Sequence, residues 1–456
     1  MIFAVNFRYH LTNMYFFKVL FVDSSNSSSN SKFQSRTTVL ILAILSAASS
    51  FLVAFGILLF SLAFTEYDKP DVSRKIFYPL PQDNFNTVHP GTQDLILRKS
   101  DLEVPSLKAE AINSLNVAVE LKNAGKLEKA MKIMEHCISL APFDPDVLNS
   151  YGEFLEDIQK DVVGADQMYF QALVKNPSHK RALVNRRRTI TVVEEKDTAW
   201  LHNIDEKRNQ VAAIPDTNVA LTRAKKEAYF QHIYHTVGIE GNTMSLSQTR
   251  SIVETRMAIG GKSIAEHNEI LGLDAALKYI NTTLIDRIGR ITVEDILEIH
   301  RRVLGYVDPT ESGMFRRTQV FVGGHVPPGP HHIPLLMDEF SKWLNSDIAA
   351  RLHPIKLAAL AHYKLVHIHP FIDGNGRTSR LLMNMILMQA GFPPVIIPKQ
   401  ERHRYYRVLE LANGGDIRPF MRLIAECTEK TLDLFLWSTS EYTTSSIPAL
   451  DFYKDD

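Results

Sequence analysis

One stretch of the chain gathers residue types that do chemistry: His369-Pro370-Phe371-Ile372-Asp373-Gly374-Asn375-Gly376-Arg377-Thr378-Ser379-Arg380. An apolar helical pattern from Pro354 to Val366 runs into it, and Leu381 to Ala390 leaves it at helical spacing before Gly391. A tight loop between two helices is therefore expected. Gly374 and Gly376 let successive backbone amides turn toward one point over the start of the second helix, and the usual guest of such a nest is phosphate. Arg377 and Arg380, three apart in the first turn, would fork onto phosphate oxygens. Two arginines at a helix N-terminus oppose the macrodipole, a local cost that a bound polyphosphate offsets. Asp373 suits magnesium, which takes one or two carboxylates together with phosphate oxygens. His369 is a candidate general base for a hydroxyl nucleophile. A zinc cluster of His362, His367 and His369 with Asp373 is the competing reading, but it leaves the glycines and both arginines unexplained.

The twelve residues resemble, at every position, the signature of the Fic family, His-Pro-Phe-x-(Asp/Glu)-Gly-Asn-Gly-Arg-x-x-Arg. That resemblance implies transfer of a nucleotide from ATP to a protein hydroxyl, with His369 as base and Asp373 on magnesium (or manganese). It also implies ATP contacts through Gly374, Asn375, Gly376, Arg377, Thr378, Ser379 and Arg380. A second string, Thr236-Val237-Gly238-Ile239-Glu240-Gly241-Asn242, keeps glycines at 238 and 241 against helix propensity. It is similar to the inhibitory Ser/Thr-x-x-x-Glu-(Gly/Asn) motif of Fic proteins that carry their own N-terminal inhibitory helix. By that resemblance Thr236, Glu240, Gly241 and Asn242 act on Arg380: Glu240 pairs with it, holds it off the γ-phosphate, and also orients a water that removes AMP.

Further positions extend the likeness. Thr318 to Val326 alternates and turns at Gly323-Gly324, which predicts a small β-hairpin. It is placed like the Fic flap, so Val322, Gly323, Gly324 and His325 would cover the nucleotide and pair with a target strand. Gly313-Met314-Phe315-Arg316 matches the family's Gly-x-(Phe/Leu)-Arg element and reads as structural. Tyr405, Tyr406 and Asn413 stand where the family approaches adenosine, although tyrosines at helical spacing serve equally as core.

These groups need a frame, and the sequence predicts a mainly α one. Residues 1–37 read as a cytosolic tail. Thr37 to Thr65 contains no charged residue and is long enough for a single transmembrane helix, placed at 38–64. Residues 65–105 form a stalk. Ala130, Met134, Cys137 and Pro142 recur as Ala165, Tyr169, Ala172 and Pro177, a shift of 35 residues. This is the pattern of two tetratricopeptide hairpins over 106–180, with the extra residue in the Gln159–Gly164 turn. A charged linker helix spans 181–215, on which Arg186, Arg187 and Arg188 are expected as a solvated face. An all-helical Fic domain with its inhibitory helix follows at 216–435, then a tail at 436–456. In it Thr292 caps a helix running to Leu304.

Composition excludes two classes. Lys+Arg and Asp+Glu both number 51, which argues against a nucleic-acid partner. Two cysteines far apart, Cys137 and Cys427, exclude a disulfide framework and suit buried thiols. Basic residues flank the apolar run almost equally, so charge leaves its orientation open. The sequon Asn281-Thr282-Thr283 favours a glycosylated lumenal domain. The Fic resemblance implies a single-pass endoplasmic-reticulum protein with a lumenal catalytic part, the lumenal chaperone BiP as target, and a homodimer through the Fic domain. Within Gly261–Leu273, Ile264 is the apolar anchor expected for that dimer. Transfer of another group such as UMP or phosphocholine, a repeat scaffold with an inert Fic domain, and a metal hydrolase are the rival functions.

Overall fold

The computed structural model describes residues 105–440. The expected tail, membrane span and stalk before Pro105, and the chain after Ser440, lie outside the described residues. No helix among the described residues is long and apolar enough to cross a membrane. All regular structure among them is helical.

Helices α1 (Pro105–Asn123) and α2 (Leu127–Leu140) form one antiparallel pair, and α3 (Pro145–Phe154) and α4 (Val162–Lys175) a second. The positions related by the 35-residue shift are the interlocking ones: Ala130, Met134, Cys137, Ala165, Tyr169 and Ala172 are all fully buried. Gly152 is where Tyr169 crosses, since a Cβ there would stand 2.5 Å from the ring. The extra residue sits earlier than the sequence suggests. A π turn at Leu155–Gln159 absorbs it inside the helix, and Lys160, left-handed at φ 58°, ends that turn.

Helix α5 (Lys180–Ala212) covers the stretch read as a linker helix, but its basic run is not one solvated face. Arg187 and Arg188 are exposed, whereas Arg186 is fully buried. Its guanidinium lies 4.4 Å over the Phe170 ring of α4 and 3.8 Å from Asp166. Asp166 also pairs with Arg418, at the start of α15 (Arg418–Thr439), and Asp416 holds Arg418 from the other side. Burial, then repulsion from Arg418, pushes the Arg186 guanidinium down to about 10. The helical period put Arg186 in line with Thr189, Ile190 and Val193, all buried. Only the approach of α4 and α15 decides that this face is covered. Removing one partner of such a buried cluster would leave the opposite charge unpaired, at a cost on the order of 3–5 kcal/mol.

The C-terminal part contains α6 (Val219–Ile239), α7 (Leu246–Thr255), α8 (Ile264–Tyr279), α9 (Val293–Leu304), α10 (Ile333–Leu344), α11 (Asp347–Ala350), α12 (Pro354–Ile368), α13 (Asn375–Gln389) and α14 (Arg402–Asn413). Thr292 caps α9 as expected, with Asp295 completing the box. Helix α13 is central and buried from Arg377 through Leu387. Both cysteines are buried free thiols.

The expected β-hairpin is reduced to a single antiparallel bridge, Val322 with His325, closed by two hydrogen bonds of 3.0 and 2.9 Å around Gly323-Gly324. The next hydrogen-bonded pair would join Val320 to residue 327, which is a proline and has no N–H to give. Gln319 fills in from the side, donating its amide to the Pro327 carbonyl at 2.8 Å.

Candidate active site

Helix α12 ends where His369 turns left-handed, at φ 51° and ψ 59°. A side-chain-bearing residue stays in that region only when its surroundings insist. Arg316 supplies much of the insistence: its Nε donates to the His369 carbonyl at 2.7 Å, and its backbone N–H donates to Pro370 O at 2.9 Å. The same guanidinium reaches Thr318 O and Pro328 O, so one buried arginine fixes the loop and the base of the flap together. On the other side, the His300 ring stacks on Phe371 with centroids 3.6 Å apart. Its Nδ1 accepts from Gly313 N–H at 2.9 Å, so its Nε2–H donates to Asp373 O, also at 2.9 Å. Gly374 then turns left-handed (φ 78°), and α13 begins.

His369 Nδ1 lies 3.2 Å from Val366 O, which places the proton on Nδ1 and leaves Nε2 as an acceptor. Burial, reinforced by the charge of Arg316 and opposed by the Val366 hydrogen bond, pushes this imidazole down to about 4. It is neutral near pH 7, as a base must be.

His369 faces a cleft of about 400 Å³ lined also by Glu240, Val322, Gly323, Gly324, His325, Asp373, Asn375, Gly376, Arg380, Tyr405, Tyr406 and Asn413. The inhibitory string, the flap, the signature and the tyrosine helix, over 170 residues apart at the extremes, thus meet in one place. Within it Arg380, 1% exposed, donates from Nη2 to Glu240 Oε1 at 2.5 Å and to Thr236 O at 3.0 Å. Burial alone would raise the Glu240 carboxyl, but the Arg380 guanidinium outweighs it and holds the carboxyl below its ordinary range. Tyr406 donates to the other Glu240 oxygen at 3.4 Å. Gly376 allows this approach, because a Cβ there would stand 2.5 Å from Glu240 Oε1. Asn242 lies outside the cleft and donates to Glu269 Oε2 at 2.7 Å, pinning the end of α6 to α8, while Gly241 makes the turn at φ 107°.

Not every signature residue faces the cleft. Arg377, 3% exposed, is turned behind the loop onto Asp373 Oδ2 (2.7 Å) and Glu269 (3.5 Å). Thr378 and Ser379 are fully buried. The Asn375 side chain closes the loop on itself, exchanging hydrogen bonds of 3.0 and 2.9 Å with the Phe371 backbone. Besides Arg380, what α13 offers the cleft is its first-turn amides, which have no acceptor within the helix. The histidine cluster does not assemble: His362 is bonded to Tyr405 and His367 to Asn413, and no group of three metal-binding side chains occurs among the described residues.

Tyr363, Val366, Ile372, Leu409 and Glu410 also line the cleft and escaped the sequence reading. The signal for one was present, since Tyr405, Leu409 and Asn413 follow at helical i, i+4, i+8 spacing. Two residues expected at surfaces lie there: Ile264, the first residue of α8, is 79% exposed, and Asn281 is exposed in the π turn after α8.

Asp373 keeps room for a magnesium ion. Its side chain is 62% exposed, and Gly374 N–H and Arg377 take only two of the roughly four lone-pair sites a carboxylate offers. One such carboxylate plus substrate phosphates is a usual magnesium set.

Residues 290–387 match the Fic/DOC family. The chain is 64% identical over 332 residues to the protein adenylyltransferase Fic of Aedes aegypti, a match covering 73% of this chain and 66%, just under two thirds, of that relative. It is 58% identical over 359 residues to the protein of the same name from Culex quinquefasciatus, covering 79% of this chain and 70% of that one. Among solved structures, Fic-1 (aa134 - 508) from C. elegans superposes with a TM-score of 0.67 at 44% identity, covering 72% of this chain and 97% of that one.

Proposed function

Since the chain belongs to the Fic/DOC family, we propose that it is a protein adenylyltransferase that moves AMP from ATP to a Thr or Ser hydroxyl of the lumenal chaperone BiP. The observation that supports this best is the cleft itself, where neutral His369 faces the amide-lined start of α13 and the buried cation Arg380. ATP's phosphates would lie over those amides, with Arg380 on the terminal ones. The target hydroxyl yields its proton to His369 Nε2 as its oxygen attacks the α-phosphorus. That O–P bond forms while the bond to the bridging oxygen breaks, and pyrophosphate leaves. Magnesium, held by Asp373 and the phosphates, would offset the polyphosphate charge. Arg377 keeps Asp373 in place, and positioning with charge stabilisation supplies most of the acceleration. The test uses Glu240→Gly protein with ATP and BiP. ATP labelled in the α-phosphate should mark BiP, γ-labelled ATP should not, and mass spectrometry should find AMP on a hydroxyl. Label from the γ-position, or modification by UMP or phosphocholine instead, would overturn the assignment.

In the resting state the Glu240–Arg380 pair withholds Arg380 from the γ-phosphate, so the unmodified protein transfers poorly and, by the same glutamate, removes AMP. The two helical pairs, read as tetratricopeptide repeats, would present the target.

The catalytic part is proposed to lie in the endoplasmic-reticulum lumen behind an anchor at 38–64, a reading supported by the uncharged run and the exposed Asn281. Glycosidase should increase the gel mobility of cell-expressed protein, and Asn281→Gln should abolish that change; digestion of the catalytic part in sealed microsomes would rule the orientation out. Dimerisation is proposed through Ile264, a large apolar side chain left open at a helix start. Ile264→Asp should then sediment as a monomer, and an unchanged dimer would put the interface elsewhere.

A further inference from the structure

Three groups hold Arg380. The Glu240 carboxylate and the Thr236 carbonyl both belong to the end of α6, so both go if that end withdraws. The third, the Tyr405 hydroxyl 3.3 Å from Nη1, comes from α14 and is independent of α6. Behind it stands His362 of α12, with Nε2 2.9 Å from the Tyr405 oxygen. Both side chains are buried, at 0% and 1% exposure.

The direction of these hydrogen bonds follows from chemistry. Arginine only donates, so the Tyr405 oxygen accepts from Arg380. The tyrosine has one proton, and it therefore goes to His362 Nε2, whose imidazole must be neutral and protonated on Nδ1. Burial, then the charge of Arg380, holds the His362 imidazole well below its ordinary value, which keeps it in that form. Position 362 lies among Ala358, Ala359, Ala361 and Leu365, all buried, where an apolar side chain would pack without desolvating an imidazole. Among the described residues its side chain has one hydrogen bond, and that one is to Tyr405.

We propose that His362 is a positioning residue for Arg380: its Nε2 accepts the hydrogen bond of the Tyr405 hydroxyl, turns the hydroxyl lone pairs toward the guanidinium, and keeps Arg380 aimed at the terminal phosphates when Glu240 withdraws. The inference rests on the reading of the cleft as an ATP site. It makes the phosphate arginine depend on two helices that do not move with the inhibitory one.

The experiment is calorimetric titration of ATP and of AMP into Glu240→Gly protein and its variants. His362→Phe and Tyr405→Phe should each weaken ATP binding by about tenfold, the worth of one hydrogen bond to a charged group. AMP lacks the phosphates that Arg380 takes, so its affinity should not change in His362→Phe, whose side chain is not part of the cleft lining. The two substitutions together should be no worse than either alone, because they interrupt one path. His362→Gln, whose amide oxygen can take the tyrosine proton, should recover ATP affinity. Equal losses for ATP and AMP, additive losses, or no loss with ATP still preferred over AMP in the parent would overturn the inference alone. A parent protein that binds ATP no better than AMP would overturn the ATP-site reading and this inference with it. If His362→Phe does not fold, His362→Leu, another apolar side chain among the same alanines, carries the same contrast.

Discussion

Replacing His369 by alanine in Glu240→Gly protein is expected to lower AMP transfer by about 10²–10⁴-fold, the usual worth of a positioned general base, while ATP binding stays nearly intact. The division follows from the geometry. In the proposed reaction His369 would give an acceptor nitrogen to the hydroxyl nucleophile, whereas the α13 amides and Arg380 would hold the nucleotide. Its titration gives a second check. The neutral form is the base, so activity is lost as pH falls through the pKa. With the imidazole held near 4 instead of the ordinary 6.5, the acid limb of kcat/KM should fall far below neutrality. Wild-type transfer in the alanine variant would remove His369 from the mechanism, and an acid limb at the ordinary histidine value would contradict its burial.

Glu240→Gly is expected to change the protein in two directions at once. It frees Arg380 from a 2.5 Å ion pair, which should raise AMP transfer strongly. The substitution also deletes a carboxylate that, in the proposed removal of AMP from a modified target, would orient a water toward the same phosphorus; the bond to the water oxygen forms as the bond to the target oxygen breaks, and the proton the water gives up ends on that departing oxygen. Removal of AMP should therefore disappear as transfer appears. The helix end that carries Glu240 is held separately, through Asn242 on Glu269, so the change should leave the fold intact. One preparation assayed both ways decides the matter. Transfer that rises while AMP is still stripped at the parent rate would assign the water to another residue.

Much of this was legible in the residues themselves. Two apolar helical stretches broken by His369 to Arg380 imply a helix–loop–helix with an amide-lined helix start, and α12 and α13 lie there, ending at Ile368 and beginning at Asn375. The same holds for the interlocking small residues of the first four helices, where alanine and glycine at a fixed shift leave one way to pack. Local pattern carries such information because helix periodicity, caps and left-handed glycines are properties of a few neighbouring residues.

Tertiary structure decided which side of each element is used. Nothing in the spacing of Arg377 and Arg380 says that one turns back onto Asp373 and Glu269 while the other enters the cleft. Arg186 looks like its neighbours Arg187 and Arg188 until α4 and α15 close over it. His362, read as one of several histidines near a candidate metal, acquires its partner from α14, more than 40 residues on. A side chain's chemistry is set by what it meets across the gap between elements, and that meeting is a property of the packed whole that no stretch of sequence contains.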